Sequence, residues 1–249
     1  MQNMNELITL TRGEWKLRQQ NTLLGFLLTL LNPLLVFLAV YAVFASLFSS
    51  SRPDYALFLL IGLLQWNFFS LATSYGLGSL LRRSNLVKNY PFEPAKIVVS
   101  SVAAVFLSHL AENLILVLIV SFHAGSFSPV FLLVFLLDLI LLAFAASIAV
   151  ITAALNVFYY DTERLWGIFL TGLFFLTPVF YPKEAVNTSA YPFLKYNILG
   201  SFMDLYRAAL LGGNPSARDL ALLASVSCAF FLLALFFCKK LKPGIQDSL

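Results

Sequence analysis

Four polar residues interrupt the most apolar stretches of the chain and are the first candidates for chemistry. His109, Glu112 and Asn113 stand at i, i+3 and i+4, so one helical face carries all three. Asp138 lies inside the next apolar run. An ionisable group in hydrocarbon costs about 2.5–3.5 kcal/mol on insertion scales, so each must face protein or water. Such a set could relay protons or hold an ion, as in a proton-coupled carrier. It could equally join helices by buried hydrogen bonds. Asp161 and Glu163 form an acidic pair beyond the fourth apolar run. A metal-dependent transferase at the membrane edge would need a larger acidic cluster than this pair.

Other chemistry is excluded outright. The chain has no G-x-x-x-x-G-K-[ST], and no Gly is followed by Lys, so it cannot cradle nucleotide phosphates as a P-loop does. Neither H-E-x-x-H nor G-x-S-x-G occurs. Cys228 and Cys238 share one apolar run, too far apart along a helix for a disulfide, and read as small apolar residues. The expectation is a chain that cannot hydrolyse ATP by itself.

The elements that must position these residues are membrane helices. Of 249 residues, 60% are hydrophobic and only 11% charged, with a mean hydropathy of +0.85. Soluble domains carry roughly 25% charged residues, so lipid must be the solvent for most of this chain. A helix needs about 20 apolar residues to cross the hydrocarbon core. Six runs qualify or nearly do: Gly25–Phe48, Tyr55–Leu81, Ile97–Phe122, Pro129–Val157, Leu165–Tyr181 and Leu220–Cys238. The fifth is short and ends at Thr177-Pro178. The reading is a single all-α integral membrane domain, 1–249, of six transmembrane helices. No cleavable leader is evident, so the first run is expected to stay as an anchor.

Basic residues set the expected orientation. With the N-terminus inside, eleven of the 16 Lys and Arg fall on cytoplasmic segments, including Arg12, Arg82, Arg83, Lys96 and Lys239. Five fall outside: Arg52, Lys183, Lys195, Arg207 and Arg218. Both termini are therefore expected in the cytoplasm. Residues 5–20 suggest an amphipathic interfacial helix, with Leu7, Leu10, Trp15 and Leu17 on one broad side and Arg12 and Lys16 opposite. Arg18 breaks that pattern. Residues 82–96 form a cytoplasmic loop punctuated by Pro91 and Pro94. Residues 182–211 form an outer re-entrant or interfacial segment, in which Leu199, Phe202, Met203, Tyr206 and Leu210 recur at helical spacing.

Two side-chain patterns remain. Ala145, Ala149 and Ala153, with Ala146 and Ala154 alongside, form a small-residue stripe that lets helices approach closely, within a subunit or between two. Trp66, Phe68, Phe69 and Tyr75 on the second run, with Tyr159 and Tyr160, suit a passage for sugars, whose C–H faces pack on aromatic rings. Lipid-facing or core positions would account for the same residues.

A series of short stretches runs nearly the length of the chain: Leu24-Gly25, Leu31-Asn32-Pro33 and Val43-Phe44, then Leu59 to Ser70 containing Gly62, Gln65 and Trp66. It continues through Asn85-Leu86-Val87-Lys88, Asn156, Asp161, Pro178-Val179-Phe180-Tyr181-Pro182, Asn197 and Tyr206-Arg207. In these residues, nearly end to end, the chain resembles the membrane subunit of ABC-2-type polysaccharide exporters, the family that moves lipid-linked O-antigen, capsule or teichoic acid chains. Tyr160 stands where the family usually has Arg, and Ile198 where it usually has Pro. The resemblance implies a homodimeric pore in the bacterial plasma (inner) membrane, with two copies of a P-loop ABC ATPase docked inside. No cofactor is expected on this chain; ATP and Mg belong to that partner. Asn85, Leu86, Val87 and Lys88 would receive the ATPase motion. Arg12, Lys16 and Arg18 would meet the lipid-phosphate end of the polysaccharide at the membrane lipid surface. Tyr191, Tyr196 and Tyr206 would stand at the exit. An ABC-2 exporter of a small drug or lipid would share this architecture. Nucleic acid is not an expected partner.

Overall fold

The computed structural model describes residues 2–19, 23–50, 52–85, 93–125, 132–186 and 196–248. Among them the fold is all-helical: α1 (Gln2–Gln19), α2 (Leu23–Phe48), α3 (Tyr55–Leu77), α4 (Ser79–Arg82), α5 (Pro94–Ala124), α6 (Leu132–Phe158), α7 (Thr162–Leu176), α8 (Ile198–Leu210) and α9 (Ala217–Ser248). A 3-10 turn at Lys183–Ala185 lies between α7 and α8.

Among the described residues, four stretches are long and apolar enough to cross a membrane: α3, α5, α6 and the Ala217–Lys239 part of α9. Helix α2 has 26 residues, with an apolar described stretch Pro33–Phe48. Helix α7 has only 15. At 1.5 Å per residue it reaches about 22 Å, short of the ~30 Å core. Its end at Thr177 is the break expected from Thr177-Pro178. Helix α5, at 31 residues, is about 46 Å long and must project beyond the core. Pro94 opens it, where a missing N–H costs nothing. Gly125 closes it at φ +66°, a left-handed cap that favours glycine.

The core forms where α3, α5, α6 and α8 meet. Phe144 of α6 packs on Phe69 of α3, Phe202 of α8 and Phe230 of α9, at 5.1–6.0 Å between centroids. The alanine stripe is used inside the subunit. Ala145, Ala149 and Ala153 are fully buried, and a β-carbon on Gly76 of α3 would come within 2.7 Å of Ala149. Gly76 therefore lets α3 and α6 touch almost backbone to backbone.

Helix α1 lies alongside α5, with Glu6 paired to Lys96 at 3.0 Å. The face it buries is not the one its apolar residues suggest. Glu14 is buried while Trp15 and Leu17 point outward. The carboxylate is accommodated because Arg83 donates to it at 2.8 Å and the Tyr75 hydroxyl at 3.1 Å.

Candidate functional site

The polar residues of α5 join four helices. Asn113 donates to Asp138 of α6 at 2.7 Å and accepts from Gln65 of α3 at 2.9 Å. Tyr206 of α8 donates to the same Asp138 oxygen at 2.6 Å. His109 Nε2 lies 3.0 Å from the Asn113 amide and 3.5 Å from Asp138, its ring stacked on Phe68 at 4.3 Å. Glu112 faces the other ring nitrogen at 3.9 Å. All six residues are buried, and the amide of Asn113 and Asp138 Oδ1 find partners among them, whereas Gln65 Oε1, His109 Nδ1 and Asp138 Oδ2 have no hydrogen-bond partner. The interhelical-tie reading of these residues accounts for the contacts. Among the described residues, no group of three His, Cys, Asp or Glu could hold a metal ion.

Beside this network, Arg207 grips the turn that ends α7. Its Nη1 donates to the Pro178 carbonyl at 2.9 Å, Nη2 to Val179 at 2.7 Å and Nε to Phe58 at 3.3 Å. The guanidinium lies over the Phe58 ring at 3.4 Å. Space for this comes from Gly62. A β-carbon there would stand 2.5 Å from both Arg207 Nη2 and the Val179 carbonyl oxygen. Asn197 completes the joint. Its side chain caps α8 by accepting from Gly200 at 2.9 Å, and donates to the Leu176 carbonyl and Thr177 hydroxyl at the end of α7. Three stretches far apart in sequence, around Gly62, Pro178 and Arg207, thus meet at one point.

Across from the core, α3 and α7 leave a cleft of about 440 Å³. Trp66, Asn67, Ser70, Leu71 and Ser74 line it from α3, and Leu170, Thr171 and Phe174 from α7. Trp66 and Phe174 meet edge to face at 5.4 Å. Two rings, an amide and three hydroxyls shared between the two walls suit a ligand with apolar C–H faces and many hydroxyls. A second groove, of about 500 Å³ and almost wholly apolar, runs between α6, α7, α8 and α9 past Phe144, Trp166 and Phe230.

Of the six aromatics expected to line a passage, Trp66 alone lines the α3–α7 cleft. Phe68 and Phe69 are buried at 1% and 2% exposure, against His109 and Phe144. Tyr75 is turned to Glu14 and lies under Arg82. Tyr159 and Tyr160 are exposed in the turn between α6 and α7, away from both recesses. Tyr206 is buried on Asp138, because a phenol in this core needs an acceptor. Tyr196 is exposed at the end of the apolar groove, and Tyr191 lies outside the described residues. Arg12 and Lys16 are exposed on α1. Arg18 instead turns inward within electrostatic reach of Glu112 and Tyr75; burial pushes its guanidinium below the usual value, and those two groups pull it back. Asn85 is exposed beyond α4, whereas Leu86, Val87 and Lys88 lie outside the described residues. Sequence reasoning missed Asn67, Ser70, Ser74, Thr171 and Phe174. The recurrence of small polar residues four apart after Trp66 is the signal that could have found them.

The chain is 32% identical over 247 residues to the O-antigen export system permease protein RfbA of Myxococcus xanthus, covering 98% of this chain and 95% of the relative. Against the O-antigen export system permease protein RfbA of Klebsiella pneumoniae it is 25% identical, over 98% and 94% of the two chains. Against the polysialic acid transport protein KpsM of Escherichia coli it is 24% identical, over 78% and 76%. The family described as ABC-2 type transporter matches residues 5–211, from α1 through the whole of α8 and across every residue of the Arg207 joint. This chain is a member of the ABC-2 type transporter family.

Proposed function

We propose that this chain is the membrane-spanning permease subunit of an ABC transporter exporting lipid-linked polysaccharide across the bacterial plasma (inner) membrane. The observation that carries this reading is the α3–α7 cleft, where Trp66 and Phe174 alternate with Asn67, Ser70, Ser74 and Thr171. Sugar rings stack their C–H faces on the aromatics while their hydroxyls exchange partners along the polar line. Relatives named for O-antigen export and polysialic acid transport support the cargo class.

Energy comes from a separate P-loop ATPase, which supplies ATP and Mg, because the chain has no phosphate-cradling motif. Two copies form the pore. In support, α7 buries only Leu170 and exposes Leu165, Ile168, Phe169 and Phe175. A helix too short to span alone is stable in a bilayer where protein covers it. Both termini face the cytoplasm, and Asn85, Leu86, Val87 and Lys88 receive the ATPase motion there. Arg12 and Lys16 attract the anionic end of the substrate at the leaflet surface, and Tyr191 and Tyr196 stand on the outer side.

Reconstituted with its ATPase, the complex hydrolyses ATP faster when polyprenyl-linked glycan is added, and not with an amphipathic drug. The reverse pattern would assign it to the small-molecule branch. Replacing Leu86 and Val87 together by Asp leaves the chain folded but removes the stimulation. Unchanged stimulation in that variant would place the coupling contact elsewhere.

A further inference from the structure

Trp66, Ser70, Ser74, Gly78 and Arg82 follow one another at intervals of four. Gly78 joins α3 to α4 with near-helical dihedrals, φ −78° and ψ −4°. The five residues therefore follow one ridge that winds about 40° per step, carrying Arg82 about 160° around the axis from Trp66. It descends about 24 Å from the aromatic cleft to the end of α4.

Arg82 ends the ridge in a held posture. Its guanidinium folds back over Gly78, where a β-carbon would stand 2.6 Å from Nη1. It lies on the Tyr75 ring at 4.1 Å and donates through Nη2 to the Tyr75 carbonyl, yet the residue stays exposed. Neighbouring bases are matched by carboxylates, Arg83 by Glu14 and Lys96 by Glu6. Among the described residues no carboxylate lies within 4.0 Å of the Arg82 nitrogens. Glu163, in the first turn of α7, stands across the mouth, its Oε1 3.8 Å from the same point beside Gly78.

We propose that Arg82 is the phosphate-binding group at the mouth of the α3–α7 cleft, taking the pyrophosphate end of a lipid-linked substrate as its sugars meet the ridge above. This rests on the glycan-export reading. A guanidinium is always charged and presents paired donors that match phosphate oxygens. Tyr75 and Gly78 hold it in place beforehand, so less freedom is lost on binding. The arriving phosphate competes with Glu163 for the charge of Arg82. A bulk phospholipid headgroup carries the same phosphate chemistry, and the test separates the two.

The full chain, in phosphatidylcholine nanodiscs, is titrated with a polyprenyl pyrophosphate, the matching polyprenol and phosphatidylglycerol, and retained lipid is read by native mass spectrometry. The wild type retains the pyrophosphate over the other two. Arg82→Gln lowers that retention about tenfold, the scale of one charge-assisted contact. Arg82→Lys recovers part of it. Gly78→Val, which keeps the charge but displaces it, loses retention too. Equal retention by wild type and Arg82→Gln overturns the assignment and leaves glycan export standing. Phosphatidylglycerol held as tightly, and lost equally in Arg82→Gln, overturns it by making Arg82 a headgroup anchor. A wild type that retains no polyprenyl pyrophosphate removes both readings.

Discussion

Arg207→Met is expected to destabilise the protein by about 3–5 kcal/mol, the cost of leaving three buried acceptors unpaired. The substitution keeps apolar volume near Phe58 but leaves the carbonyls of Phe58, Pro178 and Val179 without their donor. Each unsatisfied buried acceptor costs roughly 1–3 kcal/mol before relaxation. Arg207→Lys recovers only part, because a single ammonium cannot match three carbonyls spread around a planar fork. Gly62→Val produces the same defect from the opposite wall. Its new side chain meets the Val179 backbone, which cannot swing aside as a side-chain tip can. Thermal unfolding in detergent, followed by size-exclusion chromatography, measures the effect. A loss on the order of 10 °C is expected for Arg207→Met and Gly62→Val, and stability within about 0.5 kcal/mol of wild type for the exposed Arg218→Ala. An Arg207→Met protein as heat-resistant as wild type would show that the α7 turn is held by something else.

Ser70→Phe combined with Ser74→Phe is expected to stop glycan export while leaving the protein folded. Both serines are partly exposed on the cleft side of α3, so larger side chains fill the α3–α7 space rather than the core. Export should fall at least about tenfold, the effect of roughly 1.4 kcal/mol on a barrier, with thermal stability nearly unchanged. Trp66→Ala, which opens the cleft but removes its stacking surface, should slow export less. Accumulated surface polymer in cells carrying each variant is the readout. Normal export by the double phenylalanine variant would exclude this cleft from the sugar path.

The aromatic path shows where sequence reasoning reaches its limit. Trp66, Phe68 and Phe69 are close in sequence, but helical steps of about 100° turn them to different sides. They cannot share one wall, and the sequence does not say which side α7 approaches. The His109, Glu112 and Asn113 face was legible from spacing alone. Asp138 stood out as a polar break in the next run, but its pairing with Asn113 and the partners Gln65 and Tyr206 did not, because they come from three other helices. The helix at Ile198–Leu210 was visible in its apolar repeat, and it buries Leu199, Phe202, Met203, Tyr206 and Leu210 as that repeat requires. The buried face of α1 was hidden for the opposite reason. Apolar patterning assigns a carboxylate to solvent, but Glu14 goes inside because Arg83 and Tyr75 reach it. The family resemblance runs through Gly62, Pro178 and Arg207 as three separate stretches. Only the fold shows that they are one joint.

The central claim is that this chain moves lipid-linked glycan outward. The most direct measurement is to deplete it in its native host and locate lipid-linked glycans on each side of the plasma membrane. The account predicts polymer trapped on the cytoplasmic face, with synthesis intact and the outer face depleted. An unchanged distribution between the two faces would contradict it and return the chain to the small-molecule or lipid branch.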